Sequence, residues 1–163
     1  MAADFSFDVV SEYDRQELVN AIDQTKREIS TRYDFKGTKA DIALEKDAIE
    51  LSGDSEFQLK SVKDVLESKA IRRGLSLKVF EYGKPEPAAG GTYRQKVALK
   101  AGINDDLSRK ITKLLRDKLP KVKAQVQGDA IRVSSKSKDE LQLVMRLLKE
   151  QDYPMPLQFN NYR

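Results

Sequence analysis

The hexamer DAIELS at Asp47–Ser52 returns as DAIRVS at Asp129–Ser134, 82 positions later in a chain of 163. The setting of each copy matters more than the copy itself. Ahead of the first, Phe5-Ser6-Phe7-Asp8-Val9 alternates apolar and polar residues, the period of a half-buried strand. Leu18, Ile22, Thr25 and Ile29 then share one helical face, opened by Ser11 with Asp14 or by Asp14 with Glu17. Ile42 and Leu44 mark a strand, Lys46-Asp47 a turn, and Ile49 and Leu51 the strand that holds the hexamer. Ser55 and Gln58 cap a helix bearing Leu59, Val62, Leu66 and Ile71, Gly74 stops it, and Leu75, Leu77 and Val79 mark a last strand. The second copy has the same company. A strand at Val97 and Leu99 is followed by a helix from Asn104 with Leu107, Ile111, Leu114 and Leu115, which Pro120 ends. A strand at Val122, Ala124 and Val126 turns at Gly128-Asp129 into Ile131 and Val133. Ser137 and Glu140 cap a helix with Leu141, Val144 and Leu148, and Leu157 and Phe159 close the series.

Both halves therefore read strand, helix, strand, turn, strand, helix, strand, which is an internal duplication. That order specifies an α+β fold, a tandem of two ferredoxin-like (ribonucleoprotein-like) βαββαβ domains, each a four-stranded antiparallel sheet with two helices on one face. The expected boundaries are residues 1–82 for the first domain and 93–163 for the second. The Pro/Gly-rich stretch 83–92 is the linker, expected to lack regular structure. Exchange of strands between the halves is compatible with the same pattern.

The chain holds no Cys and no His, which excludes Cys/His zinc sites and the usual nucleophile–base pairs. It has no GxxxxGK[ST] phosphate loop. Carboxylate-only metal chemistry through Asp41, Glu45 and Glu50 is the remaining route to catalysis. Outward acids are usually just solvated, so the expectation is a protein that is not an enzyme and carries no cofactor. No apolar run reaches the ~18 residues of a membrane span, and no secretory leader is visible, so a cytoplasmic protein is expected. Charge divides unevenly along the chain: Met1–Lys84 holds 14 Lys+Arg and 17 Asp+Glu, whereas Pro85–Arg163 holds 16 and 9.

With helices on one face of each sheet, alternate strand residues face outward. The first sheet would present Ser6, Asp8, Asp41, Glu45, Glu50, Lys78, Phe80 and Tyr82. The second would present Arg94, Lys96, Lys100, Lys121, Lys123, Gln125, Gln127, Arg132, Ser134, Gln158, Asn160 and Tyr162. That second set contains no carboxylate and suits phosphates and base edges. It lacks the paired stacking aromatics of RNA-reading sheets, since only Tyr162 is aromatic. The loop Thr31-Arg32-Tyr33-Asp34-Phe35-Lys36-Gly37 has no counterpart in the second half. Its cations and aromatics suit a nucleotide: Tyr33 or Phe35 to stack on a base, Arg32 to pair with a guanine edge or a phosphate, with Lys36 beside them. The plain alternative is that Tyr33 and Phe35 cover the join between the halves.

TRYDFKG at Thr31–Gly37, SFDVVSE at Ser6–Glu12, KREI at Lys26–Ile29, QGDAIRV at Gln127–Val133 and QFNNYR at Gln158–Arg163 together resemble the bacterial YajQ family, essentially end to end. The resemblance implies two ferredoxin-like domains and a nucleotide ligand. Some members are cyclic di-GMP receptors that act on transcription through protein partners. The TRYDFKG and FNNYR segments resemble its hallmark motifs, which adds Asn160, Asn161, Tyr162 and Arg163 to Arg32, Tyr33, Phe35 and Lys36 as expected ligand residues. With the sheet cations Arg94, Lys96, Lys123 and Arg132, these form the expected site. The expected function is a non-catalytic sensor of cyclic di-GMP, another nucleotide or RNA that acts through a transcription factor or other protein partner. The alternative is a protein–protein interaction module without a nucleotide ligand.

Overall fold

The computed structural model describes residues 4–163. Nine strands and four α-helices appear among them: β1 (Phe5–Val10), α1 (Arg15–Thr31), β2 (Asp41–Leu44), β3 (Ala48–Gly53), α2 (Glu56–Arg72), β4 (Phe80–Tyr82), β5 (Glu86–Ala88), β6 (Thr92–Leu99), α3 (Asp105–Lys118), β7 (Lys123–Gln127), β8 (Ala130–Ser135), α4 (Lys138–Glu150) and β9 (Gln158–Asn160). Local chemistry sets the helix starts. Asp14 rather than Ser11 caps α1, its carboxylate accepting from the Gln16 and Glu17 N–H groups. Ser55, Asn104 and Ser137 cap the other three in the same way.

Pairing of the strands departs from the order of the chain. One sheet runs β2-β3-β6-β4, with β5 also on β6; the other runs β7-β8-β1-β9, and all pairs are antiparallel. Strand β1 thus lies in the sheet of the second half, and β6 lies in the sheet of the first. Residues Tyr13–Lys100 form one compact unit, here the mid-chain unit; Ala101–Arg163 with the chain up to Glu12 form the other, the terminal unit. The sequence-contiguous division into 1–82 and 93–163 is corrected accordingly. Each unit keeps the strand order of a ferredoxin-like domain, but its strand next to the hexamer comes from the other half of the chain.

The expected linker 83–92 is also corrected. Glu86–Ala88 is a short strand paired with Thr92–Arg94, so the stretch is a hairpin inside the mid-chain unit. Pro87 is tolerated because β5 is an edge strand, where a missing N–H costs the ladder little. Gly90 and Gly91, both at φ above +70°, make the return.

Each unit has its own core. In the mid-chain unit Leu18, Ile22, Ile49, Leu51, Leu59, Leu66, Val97 and Phe80 pack between the sheet and α1 with α2. In the terminal unit Phe7, Val9, Ile111, Leu115, Ile131, Val133, Leu141 and Leu148 do so between the sheet and α3 with α4. Phe7 and Val9 are fully buried there, so residues from the start of the chain complete a core built otherwise from its end. The exchange also redistributes charge. Tyr13–Lys100 holds 17 Lys+Arg and 15 Asp+Glu, and the terminal unit holds 13 and 11, a net +2 for each. The imbalance between the two halves of the sequence does not survive folding.

Candidate functional site

The face of each sheet away from its helices is a grid set by the strand register. On the terminal sheet the rows read Lys123–Ser134–Ser6, then Gln125–Arg132–Asp8–Asn160, then Gln127–Ala130 and Val10–Gln158. Beyond β9 the chain keeps pairing with β1: the Ser6 N–H donates to the Arg163 carbonyl at 3.1 Å, and the Arg163 N–H returns to Ser6 at 2.9 Å. Asp8 opposes Asn160 and Ser6 opposes Arg163, so two residues of the last segment span one residue of β1. Asn161, at φ +53°, is the extra residue of this bulge.

The bulge reverses the alternation expected at the end of the chain. Asn161 turns onto the open face and donates from Nδ2 to Asp8 Oδ2 at 2.8 Å. Tyr162 turns to the other side, its ring stacked parallel to buried Phe7 with centroids 6.3 Å apart. Phe159 meets Phe7 edge-on at 5.5 Å. The expected outward aromatic is therefore corrected: Tyr162 stacks on Phe7 while staying 45% exposed, and the open face carries cations and amides.

Asp8 anchors the middle row. Arg132 Nε donates to Asp8 Oδ1 at 3.1 Å. The Asn161 amide, then Arg132, with the Arg163 charge behind them, hold the Asp8 carboxyl below the usual carboxylate range against the opposing effect of burial. Arg132 spends only Nε on this pair. Neither of its Nη nitrogens has a partner among the described residues, and the side chain is 41% exposed. On the other side of Asp8, the Asn160 Oδ1 atom is buried without a hydrogen-bond partner among the described residues. The expectation of a carboxylate-free second face is corrected, because strand exchange carries Asp8 into it. At the edge of this face a recess of about 480 Å³ is lined by Lys121, Lys123, Ser134 and Lys136, with Asp4 and Glu140 as its acids.

The mid-chain face has the opposite balance. Its rows read Asp41–Ser52–Arg94–Glu86, then Ala43–Glu50–Lys96, then Ala48–Ala98–Glu81. Arg94 and Lys96, expected on the cationic face, lie here among carboxylates, and Arg94 Nη1 stands 3.9 Å from Glu50 Oε1. They line a recess of about 380 Å³ with Glu45, Glu50, Gly83, Lys84 and Glu86. Among the described residues no three acids gather closely enough to hold a metal ion. Phe80 and Tyr82, expected outward, belong to the core side. A 3-10 turn at Leu77–Val79 shifts the alternation so that Glu81 faces out. Tyr82 donates its hydroxyl to Glu67 Oε2 at 3.0 Å, and burial, then that carboxylate, push its pKa upward.

The TRYDFKG loop lies in the mid-chain unit and is largely self-satisfied. Arg32 donates from Nε and Nη2 to both oxygens of Asp34 at 2.8 and 3.0 Å, and from Nη1 to Glu28 at 3.0 Å. Its guanidinium also lies 5.0 Å over the Phe35 ring. Phe35 is 3% exposed in the mid-chain core, so its expected role as a base platform is corrected to packing. Of the loop's expected ligand residues, Tyr33, at 92% exposure, and exposed Lys36 stand in solvent with no side-chain partner among the described residues. The expected site residues thus fall into three groups. Lys123, Arg132, Asn160, Asn161 and Arg163 share the terminal sheet; Arg94 and Lys96 share the mid-chain sheet; Tyr33 and Lys36 stand on the loop that Arg32 and Phe35 brace.

A family model described as nucleotide-binding protein YajQ-like matches residues 5–163. This chain belongs to that family. It is 54% identical to a nucleotide-binding protein of Nostoc punctiforme, 55% identical to one of Trichodesmium erythraeum and 53% identical to one of Chloroflexus aurantiacus, with all of each chain covered. The YajQ-like match therefore extends over both units and includes β1 and the bulged end of the chain. Among the described residues no helix is long and apolar enough to cross a membrane.

Asp8, with Ser6, Arg94 and Lys96, lies on the sheet opposite to the one expected. Periodicity shows that it points outward, but not which sheet holds its strand.

Proposed function

We propose that this chain is a non-catalytic nucleotide-binding protein whose ligand lies on the open face of the terminal sheet. One observation carries the reading. That face offers Lys123, Arg132 and Arg163 with Gln125, Gln158, Asn160 and Asn161, and its one strand carboxylate, Asp8, is already held by Arg132 and Asn161. The unspent Nη groups of Arg132 suit phosphate oxygens. The amides suit the donor and acceptor edge of a purine. The family name and the printed names of its relatives support a nucleotide ligand.

Cyclic di-GMP fits this chemistry, with two phosphates for the cations and two guanine edges for the amides. Reading of single-stranded RNA by stacking is less favoured. Phe7, Phe159 and Tyr162 all lie on the helix side of the sheet, so its open face provides no aromatic platform. Binding is coupled to output through a protein partner such as a transcription factor, since the site has no catalytic pair of its own.

Fluorescence anisotropy of labelled cyclic di-GMP tests this, competed with unlabelled mononucleotides and a short single-stranded RNA. Saturable binding displaced by the cyclic dinucleotide, and weakened about tenfold or more in a Lys123→Gln/Arg163→Gln variant of unchanged circular dichroism, supports the reading. Displacement mainly by RNA with a steep salt dependence makes the face a general phosphate-binding surface. No binding of any of these makes the protein-docking alternative the better account.

A further inference from the structure

The duplicated hexamer places Glu50 of β3 and Arg132 of β8 at the same position in the two sheets. Their cross-strand neighbours are equivalent as well. Lys96 of β6 opposes Glu50, and Asp8 of β1 opposes Arg132. The two pairs hold the same register position with inverted charge, and Asp8–Arg132 closes to an ion pair at 3.1 Å. Next to them, Ser52 opposes Arg94 in one sheet and Ser134 opposes Ser6 in the other.

Without exchange, β1 would pair with β3 and β6 with β8 in the same register. Asp8 would then face Glu50, and Lys96 would face Arg132. Like charges directly opposed on one face of an antiparallel pair destabilise it, whereas opposite charges stabilise it. The arrangement seen turns both contacts attractive; the alternative turns both repulsive. The Asp8–Arg132 contact is made at 3.1 Å and reinforced by Asn161, while Glu50 also has Arg94 at 3.9 Å. Two sheets of one fold in one chain face an ambiguity, because each first strand offers an alternating pattern that either hairpin accepts. Charge in the middle row removes it, by favouring the right partner and opposing the wrong one.

We infer that the inverted pairs Asp8–Arg132 and Lys96–Glu50 form a strand-selection code that directs β1 into the sheet of the C-terminal half and β6 into that of the N-terminal half. The code is independent of any ligand. It assigns to Glu50 and Arg132 a role in choosing topology, and it gives a reason for the one charge inversion between DAIELS and DAIRVS.

The chain has no cysteine, so engineered pairs can report which strands meet. Ser6 spends its backbone groups on Arg163, which makes Ser6–Ser134 a non-hydrogen-bonded pair. Such pairs stand close enough for a disulfide. Ser52 is the equivalent of Ser134 in the other sheet. A full-length Ser6→Cys/Ser52→Cys/Ser134→Cys protein is refolded at low concentration under mild oxidation. Monomeric product is then mapped by peptide mass spectrometry for 6–134 and 6–52 disulfides.

With native charges the 6–134 disulfide dominates. Adding Glu50→Arg with Arg132→Glu raises the ratio of 6–52 to 6–134 product by at least about tenfold. Adding Asp8→Lys and Lys96→Glu as well restores opposite charges in the exchanged pairs and returns the ratio to within about twofold of the starting value. A ratio unmoved by the first charge swap, in protein that still folds, overturns the proposal. If the swapped protein does not fold, failure of the fourfold variant to recover the 6–134 disulfide overturns it equally.

Discussion

Positions 50 and 132 sit on the same strand of the same fold, beside a strand donated from the other half of the chain, yet they belong to faces of different character. Around Glu50 the outward rows bring Asp41, Glu81 and Glu86 together with Arg94 and Lys96. Around Arg132 they bring Lys123, Arg163 and a set of amides, with Asp8 as the one strand carboxylate. The whole units have equal net charge, so the difference is one of placement rather than amount. A duplicated fold can keep its core periodicity and still diverge on the face that the core does not use. On the terminal face cations outnumber carboxylates, and the one strand carboxylate is already held by Arg132 and Asn161.

The largest effect expected from this comparison concerns the exchange itself. Ala101–Arg163 expressed without the residues before Glu12 lacks the strand between β8 and β9 and the fully buried Phe7 and Val9. It should show no cooperative thermal transition in circular dichroism, and a peptide spanning Asp4–Glu12 should restore one. A cooperative transition in the fragment alone would break the account of the terminal unit.

Next comes a difference between equivalent positions inside the strands. Phe7 of β1 matches Gln95 of β6, counting from the Asp8 and Lys96 pairs. Phe7→Ala should cost about 3–5 kcal/mol in urea unfolding, the range for a large buried aromatic. Gln95 is half-buried and donates to the Gly83 carbonyl at 2.7 Å, so Gln95→Ala should cost only about 1 kcal/mol. Equal costs would mean that the two strands contribute alike, against the burial seen here.

The smallest effect is a pH dependence. The folded Asp8 carboxyl lies below its ordinary value of 3.8, because Asn161 and Arg132 favour its charged form. Stability from this group is therefore present above about pH 4 and is lost as pH falls through the lowered folded pKa. Asp8→Asn should be the less stable protein at neutral pH, and its disadvantage should shrink on acidification below about pH 4. Urea midpoints taken between pH 2 and 7 would show this; a constant difference across that range would contradict it. Glu50→Gln, in an exposed pair, should change stability by only about 0–1 kcal/mol at neutral pH.

Much of this was legible in the sequence, for reasons of range. Helix caps and apolar periods act over a few residues, so the four helices, the two hairpins and the duplicated pattern could be read directly. Strand partnership is decided between residues far apart in the chain, 124 positions for Asp8 with Arg132, and periodicity is silent about it. Two local phase shifts were also hidden. The 3-10 turn at Leu77–Val79 moved Phe80 and Tyr82 inward, and the bulge at Asn161 moved Tyr162 inward and Asn161 outward. The chemistry of Arg32 suits a phosphate or a guanine edge, but Asp34 and Glu28, two and four positions away, are its partners. The charge inversion between the hexamers was visible from the start, and its meaning emerges only beside Asp8 and Lys96.

The most direct measurement is a map of amide chemical-shift changes on titrating cyclic di-GMP into isotope-labelled protein. Saturable changes should concentrate at Lys123, Gln125, Arg132, Ser134 and Gln158–Arg163, with little change at Glu50, Arg94 and Lys96. Changes centred instead on the mid-chain face or on Arg27, Arg72 and Arg73 beside α1 and α2 would contradict the placement of the site on the terminal sheet.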